Sequence, residues 1–469
     1  MSAIPVIAVF DVGKTNKKLF LFDQQYRIVF ERTARFIETT DEDGDPCENV
    51  DSLRLSVFDS LREVFQCRKY NVKAINFSTY GASFVYLDRE GRVAAPLYNY
   101  LKAYPEQLKS QFYAQYGGET AFSFRTASPV LGSLNSGMQL YRIKYEKPEL
   151  YNQIYKALHL PQYMSYLLSG EYYSDITSIG CHTALWDFQK GTYHEWVGAE
   201  GIDPKLAPIV SCQHVSPASF PGNGYVVGVG LHDSSAALIP YLLNFHEPFV
   251  LLSTGTWCIT LNPFNNSPLT EEELRLDSLC YLTFQGKPVK ASRLFAGHEH
   301  EQQVRRIAEH FQRSAAEYRT LCYQPELVAG LIDSNAFHEG LTWQKESPFA
   351  QRDLTNFTSY EQAYHQLILD LVRQQYVSSQ LVMKGTNIKR MFVDGGFSKN
   401  AIYMHLLAAL FPEVEVYAAS VAQATALGTA LCIHQAWNER PIPTNLIELK
   451  YYSTLNDRLI NERLKKSAV

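Results

Sequence analysis

Four stretches of this 469-residue chain combine residue types that can hold phosphate and move a proton. The first is Asp11-Val12-Gly13-Lys14-Thr15-Asn16-Lys17-Lys18. There Gly13 lets the backbone approach an anion closely, while Thr15, Asn16 and the lysines add donors and positive charge. It is not the G-x-x-x-x-G-K-[ST] phosphate loop, which would need glycine where Ala8 stands. The second is Ser253-Thr254-Gly255-Thr256-Trp257, again small hydroxyl residues around a glycine after an apolar strand. A solvated hairpin turn is the plain alternative for either loop alone. Their recurrence at matching places in two halves argues for a grip on a triphosphate from both sides.

The third stretch, Gly228-Val229-Gly230-Leu231-His232-Asp233-Ser234-Ser235-Ala236-Ala237, reads as a strand, a glycine turn and the start of a helix of small residues. Asp233 there could be a plain helix cap. At the mouth of a cleft it could instead take the proton of an alcohol attacking phosphorus, a contribution of ~10²–10⁴ in rate. Such transfer needs a metal ion to offset phosphate charge, and Asp11 and Asp233 are the carboxylates available at the loop ends. The fourth, Asp394-Gly395-Gly396-Phe397-Ser398-Lys399-Asn400, has paired glycines that would let a flat base or ribose lie against backbone. The segment Ala422 to Ala430 starts a small-residue helix fit for close packing. His298 and His300 have a ligand-like spacing, weighed against a solvent-facing helix start.

These residues need rigid carriers, and the pattern around them supplies strands and helices in alternation. Ile4 to Phe10 and Leu19 to Asp23 read as strands flanking the first loop, and Val72 to Phe77 as another buried strand. Between them Ser52 to Cys67 sets Leu53, Val57, Leu61, Val64 and Phe65 on one helical face. Pro248 to Leu252 and Ile259 to Leu261 flank the second loop in the same manner. Glu361 to Met383 reads as a long amphipathic helix before the strand Met391 to Val393, and Ala401 to Phe411 as the helix after the glycine pair. The length favours two domains, and a turn-prone Asn-Phe-His-Glu-Pro places their boundary near residue 244. A cleft between such halves is a common ligand site.

Composition excludes several classes. A 19% charged fraction and a net charge of −5 lack the basic excess that nucleic-acid backbones demand. The eight cysteines are scattered singly with no zinc-ligand spacing, which suits a reducing cytoplasm. No stretch approaches the ~18 apolar residues of a membrane span, and the N-terminal apolar run is too short for a signal peptide.

In this order, over residues 6 to 432, the motifs resemble those of the FGGY carbohydrate kinases of the actin-like ATPase superfamily. Ser78-Thr79-Tyr80-Gly81-Ala82-Ser83 is similar to the sugar-side segment of rhamnulose and fuculose kinases, and Leu167 to Glu171 with Asp175-Ile176-Thr177 also matches. The resemblance implies an α/β fold of two actin-like (ribonuclease H-like) domains, residues 1–244 on the sugar side with the catalytic base and residues 245–469 on the nucleotide side, with the catalytic cleft between them. It makes Asp233 the catalytic base, and Gly81, Ala82, Ser83, His232 and Asp233 the sugar contacts. Gly13, Lys14, Thr15, Asn16, Thr254, Gly255 and Thr256 would hold ATP phosphates, with Gly297, Gln302, Gly396 and Asn400 nearer the adenosine. Asp11 and Asp233 would position Mg²⁺ through water.

The function implied is phosphorylation of a small sugar by ATP, the sugar being a ketose such as L-fuculose, L-rhamnulose, a xylulose or a ribulose. A glycerol-like polyol kinase and a non-catalytic ATP-binding regulator on the same fold are the alternatives. A cytoplasmic enzyme without nucleic-acid or membrane partners is expected, and a homodimer is compatible with that. Three departures stand out. Lys14, Asn16 and Lys18 take the family's Thr, Ser and Arg places. Ser83 replaces an Asp, so one carboxylate contact to the sugar is missing. Gln423 stands where many relatives have Glu.

Overall fold

A computed structural model of the chain describes residues 3–14, 17–33, 37–222, 224–333, 347–421 and 423–452. Two seven-stranded mixed sheets carry the architecture, and they share one plan. In the first, Ile4–Val12, Lys17–Asp23 and Ile28–Thr33 form an antiparallel trio. Tyr70–Thr79 lies parallel to Ile4–Val12, and Val226–Gly228 parallel to Tyr70–Thr79. In the second, Phe249–Thr254, Cys258–Asn262 and Pro288–Leu294 repeat the antiparallel trio. Arg390–Gly395 and Glu415–Ser420 follow in parallel.

Each sheet therefore opens on a hairpin whose turn carries one of the two glycine loops. The strands flanking the first loop are longer than the apolar runs suggest, because Asp11 and Lys17 continue the ladder in register with Lys18 and Val12. Backbone pairing tolerates polar residues that hydropathy does not flag as strand.

The helix Val50–Gln66 begins on Asn49, whose side chain accepts from the Ser52 amide at 2.9 Å. It buries Val50, Leu53, Val57, Leu61 and Val64 against the first sheet, while Phe65 is half-buried at its edge. The long helix Tyr360–Met383 packs on the second sheet through Ala363, Leu367, Leu371 and their neighbours. A third core, with Ile7, Val9 and Phe20 from the first sheet and Leu251 and Phe392 from the second, joins the two halves.

At that junction two helices meet, Asp233–Asn244 from one half and Ala424–Cys432 from the other. A β-carbon on Gly428 would lie 1.8 Å from the Ala236 carbonyl oxygen, so the close packing expected of the small-residue segment is realised there. Asn76 Nδ2 adds a hydrogen bond to the Thr429 carbonyl at 2.9 Å.

Between Tyr70–Thr79 and Val226–Gly228 the chain leaves the sheet and builds a helix-rich lobe around Phe84, Tyr86, Phe112, Tyr141 and Trp196. No helix among the described residues is long and apolar enough to cross a membrane.

Candidate active site

The carboxyl ends of three neighbouring strands converge on one place. Asp11 pairs with Ser78, and Ser78 with Leu231, across parallel ladders. Ser78 Oγ donates to Asp11 Oδ1 at 3.0 Å. Burial, and next the negative charge of Asp233, push the Asp11 carboxyl up to about 7, against the opposing pull of Ser78 and Lys18. Asp11 and Asp233 are thus close enough to repel, an arrangement that a divalent cation relieves.

Asp233 is the first residue of the helix Asp233–Asn244 and not its cap, a place taken by His232 without a side-chain bond. Its Oδ1 accepts from the Ser234 amide at 2.6 Å and lies 3.2 Å from His232 Nε2. Burial holds the His232 imidazole below its usual range, opposed by Asp233 and Asp175. His232 Nε2 is also 3.0 Å from the buried Cys181 Sγ, and its ring lies 5.5 Å from that of Tyr281. Tyr281 comes from the second sheet, in Ser278–Leu282, so both halves contribute to the surroundings of Asp233.

Gly81 closes the other side. A β-carbon there would meet Cys181 Sγ at 2.9 Å and the His232 ring at 3.0 Å. Ala82 takes a left-handed φ of 66° and offers its carbonyl to Gln139 Nε2 at 2.7 Å, which fixes the turn before the buried Ser83. Of the residues read from the sequence as sugar contacts, Gly81 is thus packed on His232, the neighbour of Asp233, and Ala82 and Ser83 follow it in the chain.

The first loop is described only in part, since Thr15 and Asn16 lie outside the described residues. Lys14 Nζ sits 5.4 Å from the ring centres of both Tyr80 and Tyr100, and 3.6 Å from Glu48 Oε1. Lys17 reaches the same oxygen at 3.2 Å. Burial, followed by Asp233 and Glu48, raises the Tyr100 hydroxyl, which places that ring near Asp233.

On the second sheet, a cavity of about 850 Å³ is lined by Thr254, Gly255, Gly297, Gly396 and Asn400. Its size lies in the range of small-molecule and cofactor pockets. Thr254 knits the walls: its Oγ1 donates to the Asp394 carbonyl at 2.5 Å and accepts from the Phe397 amide at 3.0 Å, while its carbonyl accepts from Gly396 at 2.8 Å. Gly297 opens the helix Ala296–His310 so close to the loop that a β-carbon would lie 1.8 Å from the Gly255 carbonyl oxygen. Asn400 caps the helix Ala401–Leu410 through the Tyr403 amide and donates to Tyr364 Oη at 2.8 Å.

Gln302 does not line this cavity; its amide pairs with His298 Nε2 at 2.8 Å on the exposed side of the helix. Thr256, also outside the lining, accepts the His298 amide at its carbonyl. His300 differs from the solvent-facing expectation. It is half-buried, bonds Tyr364 Oη at 3.0 Å, and burial pushes its imidazole down to about 4. Among the described residues no three His, Cys, Asp or Glu side chains form a metal cluster.

Glu48, Cys181 and Tyr281 are the neighbours that the sequence did not mark as site residues. Glu48 sits in an acidic run, Asp41 to Glu48, that reads as a solvated turn. The others reach the site through pairings between distant segments, for which a single sequence carries no signal.

Two family models divide the chain between them. Residues 6–217 match the FGGY family of carbohydrate kinases, N-terminal domain. Residues 246–441 match the carbohydrate kinase FGGY, C-terminal domain. Solved structures agree on the fold. A carbohydrate kinase from Novosphingobium aromaticivorans superposes with a TM-score of 0.81 at 23% identity, covering 99% of each chain. A ligand-bound xylulose kinase from Lactobacillus acidophilus gives 0.78 at 16%, covering 99% of this chain and 97% of its own. A Plasmodium falciparum glycerol kinase with ADP gives 0.73 at 15%, covering 100% and 99%. With both domain models matched in order and the two-sheet actin-like fold complete, this chain belongs to the FGGY family of carbohydrate kinases.

Proposed function

We propose that this kinase transfers the γ-phosphoryl group of ATP to a hydroxyl of a small ketose, of the L-fuculose, L-rhamnulose, xylulose or ribulose kind, with Asp233 as the general base. The observation that carries the reading is the position of Asp233. It stands at the start of a helix, its carboxylate 3.2 Å from the buried His232, whose ring packs on Gly81, and close enough to Asp11 to raise that carboxyl. Its side chain is 31% exposed, enough for a hydroxyl to reach it.

In this reading Asp233 accepts the proton as the sugar oxygen attacks the phosphorus, and the Ser234 amide and hydroxyl hold its carboxylate in orientation. Gly13, with Thr15 and Asn16, and Thr254 to Thr256 cradle the phosphates from the two sheets. Gly297, Gly396 and Asn400 line the space for the nucleoside, while Gln302 pairs with His298 outside that lining. The division of labour follows the two sheets, with residues 1–244 on the sugar side and 245–469 on the nucleotide side.

The repelling pair Asp11 and Asp233 suits Mg²⁺, a hard cation that takes oxygen ligands and keeps several waters. When bound, it would offset charge on the transferred group. Asp11, buried and hydrogen-bonded by Ser78, has its orientation fixed whether or not the cation is present.

The test is ADP release with Mg·ATP across L-fuculose, L-rhamnulose, D- and L-xylulose, L-ribulose, D-fructose, glycerol and a no-acceptor control. A rate rising sharply with one ketose supports the reading and names the substrate. A rate rising with glycerol alone would replace the ketose by a polyol.

A further inference from the structure

Glu48 is a buried carboxylate with no part in the mechanism above. It ends the short strand Pro46–Glu48 and immediately precedes Asn49, the cap of the helix Val50–Gln66. An isolated bridge ties its backbone to Leu97, three residues before Tyr100. Its place is therefore fixed from both sides. The residue is only 3% exposed, and the Tyr80 hydroxyl interacts with its carboxylate. What faces it is charge: Lys17 Nζ at 3.2 Å and Lys14 Nζ at 3.6 Å from Oε1.

A buried anion is costly unless cations compensate it. Glu48 thus holds the lysines as firmly as they hold it. Lys14 would otherwise be a flexible side chain at a loop tip, free to reach for water or for the phosphates. Here its ammonium is drawn over the pair Tyr80 and Tyr100, whose ring centres lie 5.7 Å apart. Tyr80 adjoins Gly81, and Tyr100 lies near Asp233, so this cation belongs to the acceptor pocket. An ammonium over aromatic rings suits a neutral polyhydroxyl compound, since it donates to hydroxyl oxygens while the rings meet C–H surface.

We propose that Glu48 is a positioning residue that holds Lys14 against Tyr80 and Tyr100, where Lys14 donates to a sugar hydroxyl and helps set which sugar is accepted. The proposal rests on the reading that the Asp233 pocket takes the sugar. It also gives the pocket a charged contact where Ser83 supplies none, so polar recognition has moved from a carboxylate on the turn to a cation from the first loop.

The experiment is steady-state kinetics of Lys14→Met, Lys14→Arg, Glu48→Gln, Glu48→Asp and the Lys14→Met/Glu48→Gln double variant. Sugar and ATP are varied in turn, with D-xylulose, L-ribulose, L-rhamnulose and L-fuculose as acceptors. Lys14→Met and Glu48→Gln should each raise the sugar KM by about tenfold or more while the ATP KM stays within about twofold. The double variant should be no worse than Lys14→Met, and Glu48→Asp and Lys14→Arg should recover part of the loss. A rise in the ATP KM instead would assign Lys14 to the phosphates and overturn the proposal. So would unchanged kinetics, or losses that multiply in the double variant. Should Glu48→Gln not fold, Lys14→Met decides by the same split between the two KM values. Asp233→Ala, run in parallel, separates the two readings. Its retained turnover would remove the pocket reading, whereas its loss beside an unmoved sugar KM in the Lys14 and Glu48 variants would remove only this one.

Discussion

The Nε2 of His232 lies 3.2 Å from Oδ1 of Asp233, in consecutive residues at the junction of a strand and a helix. Burial holds the imidazole below its usual range, so a neutral ring stands beside the carboxylate and leaves its charge uncancelled, while the Ser234 amide donates to the same oxygen at 2.6 Å. In the proposed mechanism the base is lost when this carboxylate is removed. Asp233→Ala should lower turnover by about 10²- to 10⁴-fold and leave ATP affinity nearly unchanged. Calorimetric titration with ATP beside single-turnover kinetics checks both halves of that statement. Retained turnover in a folded variant would take Asp233 out of the mechanism.

Asp11 supplies a pH signature. Its folded value of about 7 stands above the ordinary carboxylate value near ~4, because of burial first and Asp233 second. A group raised on folding favours the protonated native state. Its contribution is fully present below about pH 4 and is lost as pH rises through about 7. The cation-free protein should therefore lose stability across that window, and Mg²⁺ should restore most where the carboxyl is ionised. Asp11→Asn should flatten the dependence. Thermal unfolding from about pH 4 to pH 8 with and without Mg²⁺ measures it, and an equally steep profile in Asp11→Asn would assign the slope to other groups.

The elements were more legible than the partners they bring together. Strands around both loops follow from apolar runs, and their ends extend further only because polar Asp11 and Lys17 stay in the ladder. The helix Tyr360–Met383 starts one residue before the expected Glu361, since Ser359 caps it through the Gln362 amide. Gly81, Ala82, Ser83, His232 and Asp233 could be marked as candidates because short motifs carry them. Glu48 was not, because an acidic run looks the same whether its last member is solvated or buried. Gln302 illustrates the opposite difficulty. Its motif position is right for a helix beside the nucleotide cavity, yet the 3.6-residue period of that helix turns it toward His298. Tyr281 had no signal at all, since its contact with the His232 ring joins the two halves of the chain.

The nucleotide side makes its own steric prediction. Gly297 is as near to the Gly255 carbonyl as backbone can pack, with 1.8 Å to a hypothetical β-carbon. Backbone cannot yield as a side-chain tip can, so Gly297→Ala must shift the loop Thr254 to Thr256. Such overpacking costs about 1–3 kcal/mol, to be felt as a rise of about tenfold or more in the ATP KM with little change for the sugar. Equal effects on both substrates would show that the loop is not confined to the phosphates.

The helix pair at the centre couples stability to the base. Gly428 lies against the Ala236 carbonyl, three residues after Asp233 on the same helix, and again leaves 1.8 Å for a β-carbon. Gly428→Ala gains helix propensity, worth about 1 kcal/mol in an exposed helix, so a plain helix would be stabilised by it. Here the clash wins, because the facing atom is backbone. The expected result is a net loss of about 1–3 kcal/mol together with a fall in kcat, since the helix that carries Asp233 must move to make room. Thermal unfolding and initial rates on the same preparation test it. A stabilised Gly428→Ala with unchanged kcat would mean that the two helices can part without disturbing the site. A destabilised one with unchanged kcat would confine the contact to holding the halves together.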